Sequence, residues 1–252
     1  MPGRLPEHVV HATIYDMATS VRSDAMTSDE VARDLGVSVR QVQRLVETGE
    51  LTGAGRVGRS LIIDANSVNR LRVNGTQRGR PWNQRTVWVA LDLLSGSASD
   101  ELSSSQRWHL RERLRGMTSA DLVRLSRRRA DVHRFRASES FLAQVRDEVT
   151  LTGAAALSKD AELAKKFGLA SGGRSAVDGY VDRHDLDRVV STYLVVDDPT
   201  GNVVLRVVDD IGRTTRDGSA AIAVVALDLA ESLDPRERSA GRRMLDRLIR
   251  AL

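Results

Sequence analysis

The sequence predicts an α+β chain in two domains: a small front domain of short helices and a β-hairpin, then a larger domain of helices and antiparallel strands. Three observations carry that prediction. Residues 26–46 hold two short apolar-periodic segments parted by a glycine, and residues 52–63 hold two extended runs around Gly58-Arg59. Residues 74–80 are rich in Gly and Arg and lead to Pro81, the composition of a linker that ends at a helix start. Beyond it, helical patterns give way to β-branched runs and then to closing helices. The expected parts are an N-terminal extension over 1–25, the front domain over 26–73, the linker over 74–80 and the α+β domain over 81–252.

In the first helix Val31, Ala32 and Leu35 fall on one side at helical spacing, with Ser28 as the expected N-cap. Gly36 supplies the left-handed residue that lets the helix stop and turn. Ser38 then caps a second helix that buries Val39, Val42, Leu45 and Val46 and turns Arg40, Gln41, Gln43 and Arg44 outward. This is the pattern of a helix-turn-helix, whose second helix lies in the DNA major groove. Arg can bond guanine in bidentate fashion, Gln can bond adenine, and either can hold a phosphate. An ordinary helical hairpin with a solvated polar face is the alternative.

The continuation favours DNA. Thr48 and Gly49 end the second helix, and runs at Thr52–Val57 and Ser60–Ile63 read as a hairpin turned by Gly58-Arg59. Arg56 and Arg59 are expected near the tip of this wing, where a cation meets a phosphate or the minor groove. Asp64 is placed to cap a third helix, with Val68 and Leu71 inward and Arg70 and Arg72 outward. The matching residues Glu30-Val31-Ala32, Leu35-Gly36-Val37-Ser38, Arg40, Val42, Arg44-Leu45, Gly49-Glu50-Leu51 and Leu61-Ile62-Ile63 resemble the winged helix-turn-helix of excisionase and MerR-like proteins. The resemblance implies DNA contacts from Arg40, Gln41 and Arg44, with Arg56 and Arg59 supplied by the wing. Gln43 stands where a second basic residue is common in those families.

Composition fits an intracellular binding protein. No cysteine is present, no apolar run reaches the length of a membrane span, and the first twenty residues carry no signal-peptide pattern, so the cytoplasm is the expected location. The formal net charge is only +4, and its distribution says more. Residues 101–147 hold eleven Arg against six acids, whereas residues 174–252 hold twelve Arg against fourteen acids. A basic middle is expected near phosphate and an acidic end elsewhere. All but three of the 38 basic residues are Arg, a bias that a GC-rich genome also produces.

Before Thr27 the chain reads as a loose arm or a packing helix with His8 and His11. In the linker Arg78 and Arg80 either track a phosphate backbone or sit in a solvated loop. Helices are expected over Trp82–Leu94, Leu102–Leu114 and Ala120–Arg128, with Trp82, Trp88 and Trp108 as core anchors rather than base-stacking platforms. The dense run Arg124, Arg127, Arg128, Arg129, Arg134 and Arg136 reads as a nucleic-acid contact, an acidic-partner contact or a solvated helix surface.

Further on, Tyr180 and Val181 read as strand, Asp185–Thr192 as helix, and Tyr193–Val196 with Val203–Val208 as a hairpin. A helix ends at Ala230, and Asp234-Pro235 opens a last one that buries Met244, Leu245, Leu248 and Ile249. Asp197-Asp198 and Asp209-Asp210 are the candidate magnesium ligands, but adjacent carboxylates on a strand point to opposite faces. The five His have no ligand spacing and no Gly-rich phosphate loop is present, so neither cofactor nor catalysis is expected.

Asn202–Val208, Val225–Ser232 and Asp234–Gly241, with Gly79–Trp82 and the Gly168–Tyr180 region, resemble actinobacterial abortive-infection antitoxins of the AbiEi kind. That resemblance implies a type IV antitoxin: a front domain that represses its own operon and a rear domain that counters a nucleotidyltransferase toxin. The expected partners are therefore double-stranded operator DNA, a cognate toxin and a second copy of the chain in a homodimer, with no membrane. An excisionase-like architectural protein that bends DNA, or a metal-dependent nucleic-acid enzyme, are the alternatives.

Overall fold

The computed structural model describes residues 25–58, 60–74, 81–97, 102–171, 176–198, 201–216 and 219–252. The chain divides into two compact units between Val73 and Asn74.

The first unit runs β1 (Ala25–Thr27), α1 (Ser28–Leu35), α2 (Val39–Glu47), β2 (Gly53–Val57), β3 (Ser60–Asp64) and α3 (Ala65–Asn74). Its antiparallel sheet has the order β1-β3-β2, with Met26 opposite Ile63 and Arg56 opposite Leu61. The strand at Ala25–Thr27 lies partly in the stretch expected as an extension. It also moves the first helix cap. Because β1 stays paired with β3 through Thr27, the extended backbone that a cap requires falls there, and Ser28 is a buried first helical residue. The Thr27 hydroxyl accepts from the Glu30 amide at 3.3 Å, and the Glu30 carboxylate accepts from the Thr27 amide at 2.8 Å, closing a capping box.

Val31, Val42, Leu45, Leu51, Ile63 and Val68 form the core under the two helices. Each such side chain contributes about 1.5–3 kcal/mol when fully buried. Gly36 takes φ +64°, as the turn demands, and lets the Val37 amide reach back to the Ala32 carbonyl at 3.0 Å.

The second unit begins with helices α4 (Gln84–Leu94), α5 (Ser104–Arg115) and α6 (Ser119–Leu125). They are capped in turn by Asn83, Ser103 and Thr118. There follow β4 (Asp131–Arg136), α7 (Glu139–Asp147), β5 (Thr150–Leu151), α8 (Gly153–Lys159), α9 (Ala161–Phe167) and β6 (Val177–Asp182). The chain closes with α10 (Leu186–Thr192), β7 (Val196–Asp197), β8 (Val203–Val208), β9 (Thr215–Arg216), β10 (Ser219–Ala220), α11 (Ile222–Ala230) and α12 (Pro235–Arg250).

The main sheet has the order β5-β6-β8-β4-β7, antiparallel except for the parallel pair β6/β8. Two sequence expectations change here. Val196 belongs to an edge strand paired with β4, not to a hairpin with Val203–Val208, because β8 is already flanked by β6 and β4. The arginine-rich run does not continue as helix. α6 ends at Leu125, and Arg134 and Arg136 lie on β4, a strand the sequence pattern hid behind its charges.

One sheet face packs Phe135, Val177, Val181, Val203, Leu205 and Val207 onto Leu142, Val145 and Val189 of α7 and α10. The other face sends Tyr180 and Val208 into a larger helical core that includes Trp82, Trp88, Leu114, Leu227 and Leu245. Tyr180 meets Trp88 edge-on, 5.6 Å between centroids. Trp82 and Trp88 are the anchors expected, but Trp108 is 58 % exposed on α5. Helices α11 and α12 approach so closely at Gly241 that an added Cβ would lie 2.4 Å from the Ala230 amide nitrogen.

Candidate nucleic-acid interface

The site begins with how α2 is held. Ser38 takes an extended conformation and its hydroxyl accepts from the Gln41 amide at 3.2 Å, fixing the helix start. Val42 and Leu45 are buried under α1, which sets the rotation of the helix and so decides which side chains face solvent. Arg40, Gln43 and Arg44 are exposed and share one face at helical spacing, and Glu47 extends it by a turn. Gln41 is half-buried at the flank of that face. Glu47 is not among the outward residues expected from sequence, although its helical spacing from Gln43 and Arg44 places it on the same face. A carboxylate there accepts from cytosine or repels phosphate.

The hairpin stands on a buried polar joint. Asp64, fully buried, accepts from the Asn66 and Ser67 amides at 3.1 and 2.9 Å, which makes it the cap expected for α3. Arg70 was expected outside, yet it reaches back to the same carboxylate at 3.2 Å. The Ser67 hydroxyl donates to the Asp64 carbonyl at 2.7 Å and accepts from the Thr52 amide at 3.1 Å, tying both hairpin strands to α3. Every residue of β2 is exposed, Arg56 included. Gly58 takes φ +60° at the turn. Arg59, Arg78 and Arg80 lie outside the described residues.

Electrostatically the face is unneutralised. Among the described residues, none of Arg40, Arg44 and Arg56 forms an ion pair, whereas Arg70 and Arg72 of α3 are paired with Asp64 and Asp34. Glu30, on α1, carries a carboxyl held below its ordinary value by the Thr27 backbone amide first, then by the Thr27 hydroxyl and Arg33. Its charge is thus spent on the cap rather than on the arginines of α2.

Three of the four acids in the pairs of the second unit, Asp198, Asp209 and Asp210, are engaged by arginine. Asp198 accepts from Arg136 at 2.5 Å, Asp209 from Arg183 at 2.6 Å, and Asp210 caps Gly212 at 3.0 Å while pairing with Arg213 at 3.1 Å. Among the described residues, no group of three or more His, Asp or Glu is placed to hold a metal ion.

A buried charge cluster lies between sheet and helices instead, built of residues far apart in sequence. Arg129 donates to Asp228, to Glu231 at 2.7 Å and to the Tyr180 hydroxyl at 3.0 Å. Arg206 is paired with Asp178 at 2.9 Å, and the Thr152 hydroxyl donates to Asp228 at 2.6 Å. Burial alone would raise the Asp228 carboxyl, but the Arg206 and Arg129 guanidiniums and the Thr152 hydroxyl outweigh it and hold it below its ordinary value. Every formal charge here has an opposite partner, the arrangement of a structural joint between two cores.

No described helix is long and apolar enough to cross a membrane. No curated protein and no solved structure matches the chain. Residues 25–72 match the model of the helix-turn-helix domain family, so the chain carries a helix-turn-helix domain in its first unit.

Proposed function

We propose that the chain is a sequence-specific DNA-binding transcriptional regulator, with α2 as the helix that enters the major groove. The observation that carries this reading is the face of Arg40, Gln43 and Arg44: exposed, free of acid partners among the described residues, and fixed in rotation by Ser38, Val42 and Leu45. Arg40 and Arg44 contact bases or phosphates, Ser38 and Gln41 contact phosphate near the helix start, and Arg56 with Arg59 holds the backbone beside the groove. The match of residues 25–72 to the helix-turn-helix family supports the assignment.

Within that reading the chain is a non-enzymatic, cytoplasmic autorepressor that acts as the antitoxin of a type IV system, supported by the resemblance of residues 79–252 to AbiEi antitoxins. One winged module makes few contacts, so a homodimer or tandem operator sites supply the remaining affinity. Footprinting on the chain's own upstream DNA at two salt concentrations tests the proposal. Protection of repeated half-sites that survives moderate salt supports it, and diffuse protection that salt abolishes refutes sequence-specific binding. Co-expression with a nucleotidyltransferase from the same operon tests the antitoxin role, which fails if growth is not rescued.

A further inference from the structure

The arginines of the second unit are sorted. Those at the sheet are neutralised: Arg136 by Asp198, Arg183 by Asp131 and Asp209, Arg188 by Glu148 and Asp185, Arg206 by Asp178. Helices α5 and α12 are different, together holding ten Arg against three acids. The window over residues 174–252 concealed this, because twelve of its fourteen acids lie before α12 and its last helix is basic.

On α12 the helical period places Arg236, Arg243, Arg247 and Arg250 in one exposed stripe, about 21 Å long at 1.5 Å per residue. The two acids of that helix are occupied elsewhere, Glu237 by the Ser232 hydroxyl at 2.5 Å and Asp246 by the Ser119 amide at 2.9 Å. Among the described residues none of the four arginines forms an ion pair, and Arg243 donates to its own helix at Ser239. Attraction to the negative helix end accounts for Arg247 and Arg250 in the last turn, but Arg236 stands in the first turn, where that field opposes it.

On α5 the same period aligns Trp108, Arg111 and Arg115, all exposed, with Arg115 paired to Glu112 one turn earlier. Arg115 bonds the Leu252 carbonyl just beyond α12, so the two stripes meet at their C-terminal ends. The 58 % exposed indole beside them is a large apolar face left in water.

We infer that this α5/α12 surface binds single-stranded nucleic acid, with the arginine stripe on the phosphates and an unpaired base stacked on Trp108. Arginines alone suit any polyanion. The aromatic ring selects among them, because a duplex keeps its base faces stacked inside and an acidic peptide offers no flat π surface, whereas a single strand presents both phosphate and free base. The inference does not depend on the groove-reading role of α2.

The test is titration of the full chain with oligothymidylate, read by tryptophan fluorescence; Trp82 and Trp88 are buried, so stacking is reported by Trp108. Quenching that weakens as salt rises is expected. Trp108→Ala lowers affinity by about 10-fold and Trp108→Phe restores most of it, since a stacked base is worth that order. Changing the four α12 arginines to Gln lowers the log–log salt slope by about 3, at roughly 0.7 per phosphate contact, with circular dichroism unchanged. Arg40→Ala and Arg44→Ala leave this binding intact while weakening operator recognition, so the two surfaces succeed or fail separately. Absence of quenching, tighter binding of a random duplex without quenching, or capture of polyglutamate in place of the oligonucleotide each overturns the inference.

Discussion

Asp64 and Arg70 form a 3.2 Å ion pair in which the carboxylate is wholly buried and the guanidinium side chain 21 % exposed. The same carboxylate caps α3 through two backbone amides. One side chain thus fixes the end of β3, the start of α3 and the direction in which the hairpin leaves the first unit. Asp64→Ala leaves two amides and a guanidinium without their acceptor. The expected cost is about 3 kcal/mol, seen as a lower urea midpoint for the first unit.

Arg40→Ala is expected to weaken operator binding by about 1–3 kcal/mol and to relax preference at one base pair, if its guanidinium reads a base edge. Arg56→Ala is expected to weaken all sequences alike and to reduce the salt slope by about 0.9, as for one lost phosphate contact. Competitive binding to operator and random duplex separates the two. Equal losses on both sequences for Arg40→Ala would remove it from the base-reading set.

Asp228→Asn is expected to destabilise the second unit by about 3–5 kcal/mol, because it leaves buried Arg129 and Arg206 facing a neutral amide. The pH dependence has a definite sign. A carboxyl held below its ordinary value of 3.8 contributes stability that is complete above that value and lost as pH falls through the folded-state value. Acid unfolding of the second unit should therefore become shallower below pH 3.8 in Asp228→Asn. An unchanged acid limb would show that other carboxyls set it.

Gly241→Ala tests the closeness of α11 and α12. Alanine ordinarily favours a helix over glycine by about 1 kcal/mol. Here the new methyl would lie 2.4 Å from the Ala230 nitrogen and 2.6 Å from the Ala226 oxygen, so backbone must move. A net loss of about 1–3 kcal/mol is expected by thermal unfolding. A stabilised variant would show that the helices separate at little cost.

The first unit was legible in sequence because its determinants are local. Gly36, Ser38, the inward Val42 and Leu45 and the Gly58 turn each act within a few residues of themselves, and they define the helix-turn-helix and its outward arginines. What escaped was the cap at Thr27, which depends on β1 pairing with a strand nearly forty residues later. In the second unit the first three helices, the last three and the strand at Val203–Val208 followed from periodicity, whereas α7, α8 and α9 and the strand partners did not. Strand pairing is chosen by contacts between distant segments, so β4 lay unread within an arginine-rich run and Val196 was assigned the wrong neighbour.

By itself, then, the sequence determined the helix-turn-helix, the apolar faces of its helices and of the last helix, and the caps at Ser38, Asp64 and Asp234. Only the tertiary structure decided which charges are spent and which are free. Arg129 and Arg136 read alike in sequence, yet one is buried against Asp228 and the other is exposed at the end of β4 with Asp198. Arg236, Arg243, Arg247 and Arg250 are left as a stripe because the acids nearest to them in sequence turn toward other partners. The physical reason is that a charge is neutralised by what lies within a few ångströms in space, and chain order does not fix that distance.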